Sequence, residues 1–156
     1  MAKKVIRSGD QVDPLDTVRR LLNSQQVAVL ATHNEGQPYG TLVGFSVSPN
    51  LKSIFFATAR TTRKFANIVA DSRVAMTFDD RTRAAADFYE AVGVTACGWA
   101  AEVSKSPRSA HLQRFLARHP HLEEFVMAPS CAFLRVRVRK YVIVQRFQEV
   151  VELVVS

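Results

Sequence analysis

The sequence predicts a mainly β fold with short helices, in which an antiparallel sheet closes into a small barrel. Three observations carry that expectation. Six or seven short stretches alternate apolar with polar residues or are rich in β-branched and aromatic types, most are joined by short turns, and helical periodicity is confined to a few brief segments. A chain of 156 residues is the size of one domain. At that length roughly 70% of the unfolded surface is buried, so no disulfide or metal is needed as a staple. We therefore expect a single domain over residues 1–156, with 1–12 as a flexible lead-in.

Asp13-Pro14-Leu15-Asp16 has the signature of a helix start: a capping carboxylate, a proline suited to the first turn, and an acid that complements the dipole. Val18, Leu21 and Leu22 follow at helical spacing, which gives a helix over 14–24. Residues 27–32 (VAVLAT) read as a strand, and Asn34-Glu35-Gly36-Gln37 supplies turn chemistry for a hairpin. Strands over 38–48 and 51–58 flank the turn Ser48-Pro49-Asn50. Residues 61–69 change to helical periodicity, with a threonine at the cap and two cations in the first turn.

Residues 73–78 alternate as a strand, and 92–103 form a longer one in which Gly93 and Gly98 mark a bulge or a close backbone approach. The intervening 81–91 fits neither period. Ser106-Pro107 predicts a third capped helix that runs to Pro120, and a helical turn is expected at 120–126. The chain ends in strand patterns at 132–138, 141–147 and 150–155.

Composition excludes several classes. Hydrophobic residues are 47% and charged residues 22% of the chain, an ordinary globular mixture rather than a disordered or collagen-like one. Apolar runs such as 27–31 fall far short of the ~20 residues that span a bilayer, and the N-terminus lacks a signal-peptide core, so a cytoplasmic protein is expected. Cys97 and Cys131, the two cysteines, have neither disulfide-framework nor zinc spacing and read as small buried residues. His33, His111, His119 and His121 are scattered, so no metal site is expected. The net charge of +7 favours an anionic ligand or surface without identifying it. In 135–140 (RVRVRK) the alternation puts cations on one strand face; with no stacking aromatics interleaved, nucleic acid is not the expected partner.

The junction at 56–64 (FATARTTRK) is the most informative segment. A strand ends in hydroxyl residues and enters a helix whose first turn carries Arg63 and Lys64, so free N–H groups, the positive end of the dipole and two cations converge. That suits a phosphate. A plain cap followed by two solvated cations has the same sequence.

The 14–24 helix, VAVLAT, EGQPYGTLVGFSV, SIFFATA, TTRKFANI and SRVAMTF, in that order, resemble the pyridoxamine 5'-phosphate oxidase-like flavoproteins, the FMN-binding split β-barrel group. The resemblance covers residues 14–104. It implies a six-stranded antiparallel Greek-key split β-barrel, a homodimer, and one FMN at each end of the dimer interface. By position it assigns the FMN phosphate to Arg63 and Lys64, with hydroxyl contacts from Thr58 and Thr62. It sets Gly40, Thr41, Leu42 and Val43 beside the isoalloxazine ring. A flavin also needs a wall that excludes water, for which Leu42, Val43 and, from the second chain, Trp99 are candidates, although a lone Trp such as Trp99 is more often a core residue.

The resemblance stops short of the oxidase's own activity. Thr41 and Ser46 stand where the oxidase has an Arg and a Lys, the 93–98 strand lacks its Gln, and its C-terminal Trp and Arg pattern is missing. The expectation is thus an FMN-binding oxidoreductase that passes hydride or electrons from a donor such as reduced nicotinamide to a small acceptor. A non-catalytic flavin-binding sensor or carrier, or the same barrel with a deazaflavin or haem, are the alternatives. No side chain is assigned as a catalytic acid or base, and no substrate is assigned.

Overall fold

Side-chain alternation, more than local propensity, sets the architecture of the computed structural model, which describes residues 13–80, 91–146 and 148–156. The expectations for 1–12 and for most of 81–91 lie outside these residues. Helix α1 (Pro14–Ser24) starts as its sequence predicts: the Asp13 carboxylate accepts from the Leu15 N–H at 2.9 Å, and Val18 and Leu22 are fully buried. A hairpin follows, β1 (Val27–Asn34) and β2 (Gln37–Gly44), and then β3 (Ser46–Val47), β4 (Ser53–Ala59), α2 (Arg63–Ala70) and β5 (Arg73–Asp79). β6 (Gly93–Val103) leads to α3 (Ala110–Arg118), a 3-10 turn (Pro120–Leu122) and α4 (Glu123–Met127), and the chain closes with β7 (Cys131–Gln145) and β8 (Glu149–Val154).

The eight strands form one antiparallel sheet in the order β2-β1-β5-β6-β7-β4-β3, with β8 on the second half of β7. β2 and β3 sit at opposite ends of this order, yet only Phe45 separates them in the chain. The sheet must therefore curl until its ends meet, which makes it a split β-barrel. Its core includes Leu30, Phe45, Phe56, Met76, Phe78, Val94 and Tyr141, all at most 1% exposed. Burying each such side chain is worth about 1.5–3 kcal/mol before the entropy of ordering it. Outside the barrel, Phe55, Leu112, Phe115, Val126 and Phe133 form a second cluster that seats α3 and α4 on β4 and β7.

The sheet has eight strands where the resemblance implied six, and two expected strand boundaries move for local reasons. The strand expected over 38–48 breaks at Phe45, whose ring turns wholly inside, while the adjacent Gly44 lies against the buried His119 ring, 3.2 Å from where a Cβ would be. The two strands expected at 132–138 and 141–147 are one, β7, which ends at Gln145 and bends without breaking. Opposite the step between Cys97 and Gly98 it carries one extra residue, Arg139, so that Val136 and Val138 point inward before the bulge and Tyr141 and Ile143 after it. Gly98 permits this: a Cβ there would lie 2.0 Å from the Arg137 carbonyl oxygen.

The helix expected from Ser106 begins at Ala110, because Ser106-Pro107 forms a turn instead. The Ser109 N–H donates to the Ser106 carbonyl, and Ser109 caps α3 by accepting from the Leu112 N–H at 3.3 Å. Both cysteines are free thiols; Cys131 is buried as expected, and Cys97 is half-buried on the outer side of β6. Among the described residues no helix is long and apolar enough to cross a membrane.

Candidate functional site

The junction between β4 and α2 is a tight turn braced by its own hydroxyls. Thr62 caps α2 by accepting from the Phe65 N–H at 3.3 Å, and its Oγ1 lies 2.7 Å from Oγ1 of Thr58 and 2.9 Å from the Ala59 carbonyl. Thr58 is 2% exposed. These two hydroxyls thus fix the turn that aims the start of α2. The helix is tied down further along by Asn67, whose Nδ2 donates to the buried Thr32 hydroxyl on β1 at 3.0 Å. The first N–H groups of α2, those of Arg63 and Lys64, have no acceptor within the helix.

Three cations approach this turn, and they divide by partner. Arg60 is spent: its guanidinium makes a forked pair with Glu102, at 2.5 and 2.7 Å, and Nε donates to the Pro129 carbonyl at 3.2 Å. That fork holds the Glu102 carboxyl below the usual carboxylate range. Arg63 and Lys64 have no carboxylate partner among the described residues. The Arg63 guanidinium lies 5.1 Å from the centre of the Tyr39 ring, and Lys64 is half-buried.

Strand β2 supplies the facing wall. Tyr39, Thr41 and Val43 pair with Thr32, Leu30 and Ala28, all three buried, and so point to the inner side of the sheet; Gly40 and Leu42 point outward. Because β2 ends the strand order, its other edge carries no strand, which leaves backbone donors and acceptors available. The start of α2 meets β2 where the Arg63 guanidinium lies over Tyr39, with Lys64 and Thr41 close by in sequence. Val43 is packed in the core and Leu42, 69% exposed, lies on the opposite face, so one run of sequence serves two surfaces. Trp99, 44% exposed, stands outward on β6 with the Arg139 guanidinium 6.0 Å from its ring.

Two features were not anticipated from sequence. Tyr39 stands beside Arg63, and the signal was its spacing of two from Thr41 on a strand. A cleft of about 480 Å³ is lined by Ala31, Thr32, His33, Gly36, Arg73, Val74 and Ala75. Beside it Asp71 accepts from Arg73 at 2.7 Å and pairs with His33 Nε2 at 2.9 Å. Hydrogen bonds from Arg73 hold the Asp71 carboxyl far below its ordinary range. Among the described residues no three His, Cys, Asp or Glu side chains converge as a metal site.

Residues 15–145 match the family model described as pyridoxamine 5'-phosphate oxidase. No curated protein matches the sequence. Among solved structures, a haem-binding protein from Mycobacterium smegmatis aligns with a TM-score of 0.82 at 16% identity, over 94% of this chain and 60% of that one. An FAD-binding protein from Mesorhizobium loti aligns at 0.65 and 18% identity over 85% and 92% of the two chains. A putative pyridoxamine 5'-phosphate oxidase from Listeria innocua aligns at 0.65 and 12% over 83% and 96%. At these identities the likeness is one of fold, and this chain spans well under two thirds of the Mycobacterium smegmatis protein.

Proposed function

Since the chain belongs to the pyridoxamine 5'-phosphate oxidase family, we propose that it is an FMN-binding flavoprotein whose cofactor phosphate is held by Arg63 and Lys64. The observation that carries this reading is the division of the three cations: Arg60 is paired with Glu102, while Arg63, over the Tyr39 ring, and Lys64 have no carboxylate partner among the described residues. A phosphate monoester brings the charge that this end lacks, and its oxygens suit the forked guanidinium and the free N–H groups of the first turn.

The residues present fit the group. Thr58 and Thr62 hold the turn, Thr41 and the backbone of β2 face the ring's polar edge, and Tyr39 stands beside Arg63. A bound flavin supplies the hydride and electron chemistry; this chain binds it, orients it and excludes water from one face. A reduced nicotinamide as donor and a small molecule as acceptor complete the proposal, which makes the protein an oxidoreductase. Where the oxidase has a Lys, this chain has Ser46, fully buried in the barrel, so activity on vitamin B6 phosphates is not proposed.

The reading includes a homodimer. On the outer side of the sheet Val27, Val29 and Leu42 are 51%, 43% and 69% exposed, with Gly40, Ala31 and Ala75 among them. A second copy would cover this low-polarity face and bring its own Trp99 to the assembly. Haem is the weaker fit. The Nε2 atoms of His33 and His119 are already engaged, with Asp71 and with the Phe45 carbonyl at 2.8 Å.

Reconstitution of purified protein with FMN, FAD and haem in parallel tests the reading. We expect uptake of FMN, with visible flavin absorbance that bleaches on addition of reduced nicotinamide and elution as a dimer. Uptake of haem in preference to FMN would overturn it.

A further inference from the structure

A different cluster of cations lies at the other end of β4 from the turn that leads into α2. Alternation along β7 sends Arg135 and Arg137 outward, and the bulge adds Arg139 to the same side. The register sets Arg137 opposite Ser53 on β4 and Trp99 on β6. The Val138 N–H donates to the Lys52 carbonyl at 2.9 Å, and the Val155 N–H donates to the Arg139 carbonyl at 2.8 Å, which brings the chain after β8 across one end. These residues border an open cavity of about 290 Å³, whose lining includes Lys52, Trp99, Arg135, Arg137, Arg139 and Ser156.

Four basic side chains line the cavity, beside the last residues of the sequence, Val155 and Ser156. Lys140, next along β7, is paired with Glu152 at 3.6 Å, and Arg60 is paired with Glu102. Among the described residues none of Lys52, Arg135, Arg137 and Arg139 is paired with a carboxylate, and no acidic side chain lines the cavity. Guanidinium groups two residues apart on a strand are about 7 Å from one another and repel, a repulsion that an entering polyanion relieves. Guanidinium forks match phosphate oxygens in pairs. The half-exposed indole of Trp99 adds a flat surface on which an aromatic base can stack.

We propose that this cavity is a nucleotide site, in which the base lies on Trp99 and a diphosphate is shared by Lys52, Arg135 and Arg137. Its volume suits a small ligand, and a single stacking residue serves one base rather than a strand of them. The proposal does not depend on flavin binding at Arg63 and Lys64.

Trp99 is the single tryptophan of the chain and lines this cavity, so in flavin-free protein its fluorescence reports on what binds there. ADP titrated into the protein, and into the Arg63→Ala/Lys64→Ala variant, is expected to change Trp99 emission saturably and with the same affinity in both. Arg135→Ala/Arg137→Ala, at exposed positions that leave the core untouched, should weaken binding at least about tenfold. Pyrophosphate should displace ADP, and adenosine should bind much more weakly. The proposal is overturned by the absence of a saturable change, by adenosine binding as well as ADP, or by loss in the Arg63/Lys64 variant but not in the Arg135/Arg137 one. It is also overturned if oligonucleotides bind with an affinity that grows with their length, which would mean an extended nucleic-acid surface.

Discussion

Replacing Gly98 by alanine tests the barrel at its tightest point. An added Cβ would stand 2.0 Å from the Arg137 carbonyl oxygen, 2.8 Å from its carbon and 3.1 Å from the Val138 Cα, all backbone atoms with no rotamer to move. To restore van der Waals distance β6 and β7 must separate by more than about 1 Å. That lengthens the hydrogen bonds on either side of the bulge, each worth about 1 kcal/mol, on top of about 1–3 kcal/mol for overpacking. The expected cost is about 3–5 kcal/mol, a large share of the 5–15 kcal/mol of a typical domain. At about 2–4 °C per kcal/mol, Tm should fall by about 6–20 °C.

Gly93 on the same strand is the control, because a Cβ there meets nothing within 4 Å. Gly93→Ala should stay within about 1 kcal/mol of the parent. Circular dichroism in urea and on heating compares the two. Equal stability of the variants would refute the claim that the bulge demands a glycine at 98.

Lys105 donates from Nζ to the carbonyls of Val126, Ala128 and Cys131 at 3.0, 2.8 and 2.7 Å, so Lys105→Met should loosen α4 and cost about 2–3 kcal/mol, read as a lower urea midpoint. Tyr141, fully buried, donates to the carbonyl of Leu51, a residue held at a φ of 61°; Tyr141→Phe should cost about 1–2 kcal/mol by leaving that carbonyl without its donor. Asp71 and Glu102 are both depressed by their arginine partners, so their contribution is present above the unfolded carboxylate values of about 3.9 and 4.3. It is lost as pH falls below them toward the folded values. Asp71→Asn/Glu102→Gln should flatten stability against pH in that acid range, as measured by thermal unfolding at fixed ionic strength.

Local chemistry was legible in the sequence, and features set by curvature were not. Asp13 and Thr62 cap their helices because an N-cap needs only its own next three residues. The break at Phe45 arises because the sheet must curl to bring β2 beside β3, a demand absent from the strand-like run on either side of it. Both Gly93 and Gly98 mark β6, but only the approach of the Arg137 carbonyl, across the sheet, makes one of them obligatory. The cap expected at Ser106 falls to Ser109 instead, because Ser106-Pro107 is used up in a turn.

The candidate site follows the same division. Arg63 and Lys64 could be read from a strand-to-helix junction, whereas the pairing that removes Arg60 from the site needs Glu102, on a strand that sequence cannot place beside it. Leu42 and Val43, both wall candidates from sequence, fall on opposite faces because strand alternation buries Val43, exposes Leu42 and puts Tyr39 on the same face as Thr41. The His33–Asp71 pair comes from two elements joined only through the β1–β5 ladder and α2.

The anchor for the cofactor phosphate is tested most directly by comparing FMN with riboflavin, which lacks the phosphate, in the parent and in Arg63→Ala/Lys64→Ala. Two charge-assisted contacts predict that the parent prefers FMN by about 3–4 kcal/mol, or 10²–10³-fold in Kd, and that the variant loses most of this preference while its riboflavin affinity hardly changes. Equal affinity of the parent for the two flavins, or a preference for FMN that survives in the variant, would contradict the account.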